Sequence, residues 1–329
     1  MAMLSLGSAA PVAAADAVAI SKISIGLGEH FKVGHWTPVR IELENASDTP
    51  VAGQLVLTTA DVDGLSTRYV TEEVIRLDKT AALWRYVKFG NGESDLTVEF
   101  VSDAGVTQRR VVRTTQQATA LVSTSELIVA VGDRLGVEEA LTLRSRSMKR
   151  PVSIVLLKSL SELPDHPAGL AAIDTLILPT SQVEWSQLPQ QSSSVVRNWV
   201  ARGGRLILSV GKQGAELFGE QGVLVGLAPG AFDRVFALQR SGAIEAYAGA
   251  TQRLETGGKR VSIDMTLLRA PRGRIELAET GPGGESQPVV LNYPVGFGLV
   301  TLVTVDLDQP PLASWKGRPR FVAKLLAFH

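Results

Sequence analysis

Along the first third of the chain, apolar and polar positions alternate in short runs that stop at turn-forming residues. Val39-Arg40-Ile41-Glu42-Leu43-Glu44 alternates without interruption and stops at Asn45, the pattern of a strand with one face buried and the other in water. Similar runs stand at Gln54–Thr58, Thr71–Leu77, Leu83–Phe89, Leu96–Val101 and Gln108–Val112, with Asp63-Gly64, Asn91-Gly92 and Ala104-Gly105 supplying turns between them. This spacing predicts an all-β sandwich over residues 17–115.

Beyond Thr114 the period changes. Leu127–Val131, Val152–Leu157, Asp174–Leu178 and Arg205–Val210 are continuous apolar runs, and helical spacing separates them at Val137–Leu143 and again from Gln190 to Arg202, where Gly203-Gly204 closes the helix. Strands apolar on both faces and alternating with helices predict an open, mostly parallel α/β sheet over residues 123–329. From Val235 to Val290 the helical signal is lost, and strand-like runs at Phe236–Gln239, Arg260–Ile263, Arg274–Ala278 and Val289–Leu291 predict a β-rich insertion at about 235–290. Leu299–Val305 reads as a last strand and Arg318–Phe328 as a closing helix, while the polar, unpatterned Thr114–Thr119 reads as a linker between the two modules.

Composition narrows the function. A chain of 329 residues, 45% hydrophobic, can build about two cores. Its 33 basic and 33 acidic residues cancel, aromatics are 5%, and no basic stripe is interleaved with aromatic residues, so no nucleic-acid partner is expected. Cysteine is absent, which removes disulfides, thiolate nucleophiles and cysteine-ligated metals. Residues 1–16 read as a signal remnant: Met1–Ala15 is apolar and small, and Ala13-Ala14-Ala15 before Asp16 has the form of a cleavage site, although no cation precedes Lys22. The expectation is a periplasmic or cell-envelope location; the competing reading is an Ala-rich tail on a cytosolic protein. No run reaches the ~20 apolar residues of a membrane span, so attachment to a membrane is expected through a segment not present in this chain.

Three passages carry a family resemblance. Val33-Gly34-His35-Trp36-Thr37-Pro38-Val39 resembles the opening strands of Ig-like modules in bacterial envelope proteins. Asp174–Pro179, followed by Val195–Val200 and Ala201-Arg202-Gly203-Gly204-Arg205-Leu206-Ile207-Leu208, is similar to the helix, Arg-Gly-Gly, strand core of class I glutamine-amidotransferase-like domains. Gly296–Asp306, Trp315 and Arg318–Leu326 resemble the closing strand and helix of the same domain. The resemblance implies a fold, and a membrane-anchored ectodomain without enzymatic activity. Active class I amidotransferases need a nucleophilic Cys with a His and a Glu; this chain has no Cys, no Gly-x-Ser-x-Gly elbow, and only His166 within the α/β region away from the terminus. No catalytic residue is therefore assigned.

The candidate site residues are positional. Asp133, Thr180, Ser181 and Lys212 each follow a predicted parallel strand and so belong to its carboxyl edge, where open α/β sheets bind ligands; as ordinary loop residues they would have no such role. Asp306 and Asp308 stand at the end of the last strand, where alternation places both carboxylates on one face, as a metal pair or acid and base, or else as a strand-end cap before Pro310-Pro311. Asp61-Val62-Asp63-Gly64 opens like a calcium loop, but Thr67 and Arg68 follow it and a hairpin turn is the better reading. His30 and His35 lack a third ligand for zinc, and Gly203-Gly204, Gly211–Gly214 and Gly26-Leu27-Gly28 fit no phosphate loop, so no cofactor is expected. The reading is a non-catalytic exported binding or scaffolding ectodomain with a protein or other envelope component as partner. The alternatives are a metal-assisted hydrolase using Asp133, Asp306 or Asp308, and a small-ligand sensor at the sheet edge. Convergence of three acids or histidines in one pocket separates enzyme from binder.

Overall fold

The computed structural model describes residues 18–327 apart from 72, 104, 145–149, 182, 186–187, 189, 255–261 and 282, so residues 1–16, expected from sequence to be a signal remnant, lie outside the described residues. The fold is mixed α/β with strands in several sheets, and among the described residues no sheet closes into a barrel. Two compact units divide the chain, the first ending at Ser123 and the second beginning at Thr124.

The front unit contains β1 (Val18–Ile25), β2 (His30–Lys32), β3 (Trp36–Asn45), β4 (Val51–Ala60), β5 (Ser66–Val70), β6 (Ile75–Leu77), β7 (Thr80–Lys88), β8 (Asp95–Ser102), β9 (Gly105–Arg113), the single turn α1 (Thr114–Gln117) and β10 (Thr119–Leu121). One sheet runs β1-β3-β7, and a second runs β5-β4-β8-β9 with β6 also on β4. Both contribute to one core, because alternation sends Val39, Ile41 and Leu43 of β3 inward against Leu55 and Leu57 of β4 and Val98 and Phe100 of β8. Asn45 ends β3 as its type suggests: its buried amide donates to the carbonyls of Thr49, Leu77 and Asp78, tying the turn after β3 to the end of β6.

The back unit contains β11 (Glu126–Val131), α2 (Val137–Arg144), β12 (Val152–Leu157), β13 (Thr175–Pro179), α3 (Gln190–Ala201), β14 (Arg205–Ser209), α4 (Gly214–Phe218), β15 (Ala231–Leu238), α5 (Gly242–Ala248), β16 (Ile263–Arg269), β17 (Arg274–Thr280), β18 (Ser286–Val295), β19 (Gly298–Val303) and α6 (Arg318–Ala327). The sheet order is β12-β11-β13-β14-β19-β18-β17. Its first five strands are parallel, and β18 and β17 extend it antiparallel. Every residue of β13 and β14 is buried, which is why the centres of both, Leu176–Leu178 and Leu206–Leu208, are apolar on both faces. On α3 the buried positions Ser192, Val195, Val196, Trp199 and Val200 follow helical spacing, and on α6 Phe321, Val322, Leu325 and Leu326 do the same. Arg205 opens β14 buried, and its guanidinium donates to the carbonyls of Leu325 and Leu326, so a cation caps the negative end of α6.

Three expectations need correction. The run read as a β insertion is divided: β15 and β16 form a two-stranded ribbon that touches the segment after β19 through a single Met265–Val305 bridge, whereas β17 and β18 continue the main sheet. It also holds a helix, α5, too short at seven residues to raise a periodic signal. The supposed linker belongs to the front unit. Thr114 is fully buried, its hydroxyl donating to Gly92 O (2.8 Å) and accepting from Ser94 N (3.0 Å), and β10 pairs in parallel with β2. Polar side chains hid this because their partners are main-chain groups supplied by tertiary contact.

It follows that a front fragment Val18–Ser123 is more stable than Val18–Thr115, by about 1–2 kcal/mol for the burial of Leu121 alone. Urea unfolding of the two fragments measures the difference, and equal midpoints with equal slopes would remove β10 from the folded unit.

Candidate functional site

Polar side chains gather at the carboxyl edge of the parallel strands, since the strands themselves hold almost none. Ser209, the last residue of β14, donates its hydroxyl to Val305 O (2.8 Å) and accepts from Leu307 N (2.8 Å). Its carbonyl in turn accepts from Thr180 Oγ1 (2.9 Å), beyond β13. Trp185 covers this layer, donating Nε1–H to Thr180 O at 3.1 Å.

Above that layer lie the two aspartates. The carboxylate of Asp306 accepts the backbone N–H groups of Gly211 (2.7 Å) and Lys212 (2.9 Å), one on each oxygen. Gly211 permits this approach: a Cβ there would stand 2.5 Å from Asp306 Oδ2 and 2.6 Å from Asp264 O. Thr266 Oγ1 fixes the same loop through Gly211 O at 2.6 Å. Asp308 turns to another neighbour, accepting from Ser181 Oγ at 2.5 Å, while Gln309 Nε2 donates to that hydroxyl at 2.9 Å. At the rim Arg318 donates to Leu307 O (3.3 Å) and lies 4.0 Å from Asp133 Oδ1, whose main task is to accept Leu135 N.

Asp306 and Asp308 are 6% and 3% exposed, and burial pushes the carboxyl groups of both above the usual range. The hydrogen bonds named above oppose the shift in each, Arg318 opposes it at Asp308, and nearby carboxylates add to it: Asp308 and Asp264 for Asp306, and Asp133 for Asp308.

All the residues placed at this edge by sequence reach it, but their tasks differ from those expected. Lys212 contributes its backbone N–H, and its side chain is exposed. Asp306 and Asp308 do not act as one pair: regular β19 stops at Val303, alternation lapses, and the carboxylates serve the loops after β14 and β13 respectively. Among the described residues no three His, Cys, Asp or Glu side chains converge as a metal site. Sequence reasoning passed over Ser209, Thr266, Gln309 and Arg318. Only Ser209 had a signal, as the polar residue directly after Leu206–Leu208.

Elsewhere, Asp61 organises a turn, its Oδ1 accepting from Asp63 N and Leu65 N at 2.9 Å each. His30 Nδ1 lies 2.7 Å from Gly28 O, and His166 Nδ1 accepts from Ala168 N at 3.2 Å. A cavity of about 310 Å³ opens beside α3, lined by Ser193, Ser194, Arg197, Gln221 and residues 222–227, with none of the edge network in its wall.

Residues 19–119 match the family model described as a domain of unknown function (DUF8726). No curated protein matches the chain. Among solved structures the chain is similar to the β-galactosidase from Bacillus circulans sp. alkalophilus, at 15% identity and a TM-score of 0.37, over 62% of this chain and 30% of that one. It is also similar to the β-galactosidase from Rahnella sp. R3, at 12% identity and a TM-score of 0.36, over 61% and 31%. The chain thus spans under a third of the length of either structure, and neither likeness bears on function.

The raised carboxyl groups set a pH dependence. A group that holds its proton more tightly folded than unfolded stabilises most at low pH, and that stability is lost as pH rises from the free-aspartate range through the raised folded value. Asp308→Asn removes this loss while keeping an acceptor for Ser181, so the variant's unfolding temperature minus that of the native chain is expected to increase from about pH 4 to about pH 7. A difference independent of pH would count against the buried charge. Separately, Gly211→Ala is expected to cost about 2–3 kcal/mol, because a methyl group there must displace Asp306 or the loop; denaturant unfolding reads this directly.

Proposed function

We propose that the protein is a non-catalytic binding or scaffolding ectodomain, exported to the cell envelope, with an Ig-like sandwich in front and a degenerate class I glutamine-amidotransferase-like domain behind. Two sheets sharing one core support the first assignment. Five parallel strands in the order β12-β11-β13-β14-β19, between helices, support the second.

The observation that carries the reading is the state of the carboxyl edge. Thr180, Ser209 and Asp306 direct their polar groups to the backbone of neighbouring loops, and Ser181 gives its proton to Asp308. Acyl transfer requires an activated nucleophile beside a base that another group orients. The chain has no Cys, and His166, the described histidine of the back unit, has its Nδ1 engaged in a turn. These hydrogen bonds make the edge a brace for the loops rather than an assembly of reacting groups. A formal net charge of zero argues against nucleic acid as the partner, which leaves a protein or other envelope component as the proposed one.

Glutaminase assays of the purified chain are expected to show ammonia release no faster than a no-enzyme control, and fractionation of the native host is expected to place the protein outside the cytoplasmic membrane. Ammonia release abolished by Ser181→Ala would overturn the non-catalytic reading, and recovery of the cellular protein from the cytosol would overturn export.

A further inference from the structure

At the amino edge of the same sheet, opposite the hydrogen-bonded network, the hairpin joining β18 to β19 ends in Gly296-Phe297. Phe297 is 93% exposed, whereas the buried cores include Phe31, Phe89, Phe100, Phe218 and Phe321. This is not a floppy end. Gly296 has φ +60°, the left-handed conformation that a tight two-residue hairpin turn requires at its first central position. Phe297 N–H donates to Ala201 O (3.0 Å), the carbonyl of the last residue of α3, and Leu299 N–H donates to Gly204 O (3.2 Å). A Cβ on Gly296 would lie 2.4 Å from Ala201 O, and one on Gly298 would lie 2.0 Å from Val200 O, so both flanking positions are pressed onto the end of the helix. The backbone is clamped, and the ring stands in water.

Exposed arginines occupy the segments that adjoin the tip. Arg202, exposed, directly follows Ala201; Arg272, also exposed, reaches to 5.9 Å from the ring of Tyr293 on the same hairpin. Arg274, opposite Asn292 in the register, is exposed as well, but its charge is partly met by Glu276 at 2.7 Å.

We propose that this tip is an insertion point for an anionic lipid surface, with Phe297 entering the boundary between headgroups and acyl chains while Arg202 and Arg272 meet lipid phosphates. The contact needs none of the carboxyl-edge chemistry and goes beyond the function proposed above. A lipid surface fits better than a protein groove. A protein interface needs a core of several adjoining apolar side chains, whereas Phe297 is flanked by Gly296, Gly298 and the exposed Arg202-Gly203 pair. One exposed apolar side chain on a turn held by backbone hydrogen bonds, with exposed arginines in the adjoining segments, suits a surface that only that side chain enters. Tyr293, half-buried beneath Arg272, has the amphipathic ring that interfacial positions favour.

The test is co-sedimentation of the full chain with vesicles of phosphatidylcholine alone or mixed with phosphatidylglycerol. Binding is expected to the anionic vesicles, to weaken about tenfold or more in Phe297→Ser, and to weaken about tenfold in the double variant Arg202→Glu, Arg272→Glu. Ile275→Ser, another exposed apolar position, serves as the control and is expected to bind as the native chain does. Because the chain has no cysteine, Phe297→Cys carrying a polarity-sensitive dye gives a second reading, a blue shift on adding anionic vesicles. The assignment fails if the native chain does not sediment, even if the tip cross-links to a protein in cells. It fails equally if Phe297→Ser binds like the native chain, or if neutral vesicles bind as well as anionic ones.

Discussion

The back unit depends on one constraint: its central parallel strands are buried on both faces. A strand in that position can hold hardly any polar side chain, and β13 and β14 accordingly have every residue out of solvent. The polar groups are displaced to the strand ends, where the chain leaves the sheet and main-chain N–H and C=O groups lose their ladder partners. Ser209 and Asp306 meet there because each bonds a main-chain group beyond the end of a strand, and the Thr180 hydroxyl adds a second bond to the Ser209 carbonyl, which already accepts Thr180 N–H. The apolar interior and the polar edge are thus two consequences of one arrangement.

That arrangement sets what the edge can do. A carboxylate carrying two backbone N–H bonds is held in place and contributes order to the loop after β14, while burial makes its charge costly. Asp308 is in the same position with a hydroxyl as donor. Removing either carboxylate would leave its buried donors without their partner, so the loops after β14 and β13 depend on these two side chains. The carboxyl edge is thus held by its own hydrogen bonds, and the Phe297 hairpin lies at the other edge of the sheet.

The front unit meets a different constraint, since each of its sheets has one face on the shared core and the other outside it. Alternation is therefore the rule, and β3 displays it with Val39, Ile41 and Leu43 inside and Glu42 and Glu44 outside. The unit closes through groups that alternation does not mark: the Asn45 amide, the buried Thr114 hydroxyl and the short parallel pair β2–β10.

The sequence by itself determined the period of the longer strands and helices, the glycine stop after α3 and the absence of thiol chemistry, because these depend on neighbouring residues or on composition alone. It also placed Asp133, Thr180, Ser181 and Lys212 at the carboxyl edge and Asp306 and Asp308 at the end of the last strand, since a residue following a parallel strand has nowhere else to be. Only the tertiary structure decided which of them meet. Ser181 and Asp308 are 127 residues apart, and Gly211 and Asp306 are 95 apart. Strand order brings such pairs together, and a local pattern carries no record of that order. The fates of α5, β10 and Arg318 were hidden for the same reason: a short helix, a three-residue strand and a lone arginine acquire their roles from partners that only packing supplies.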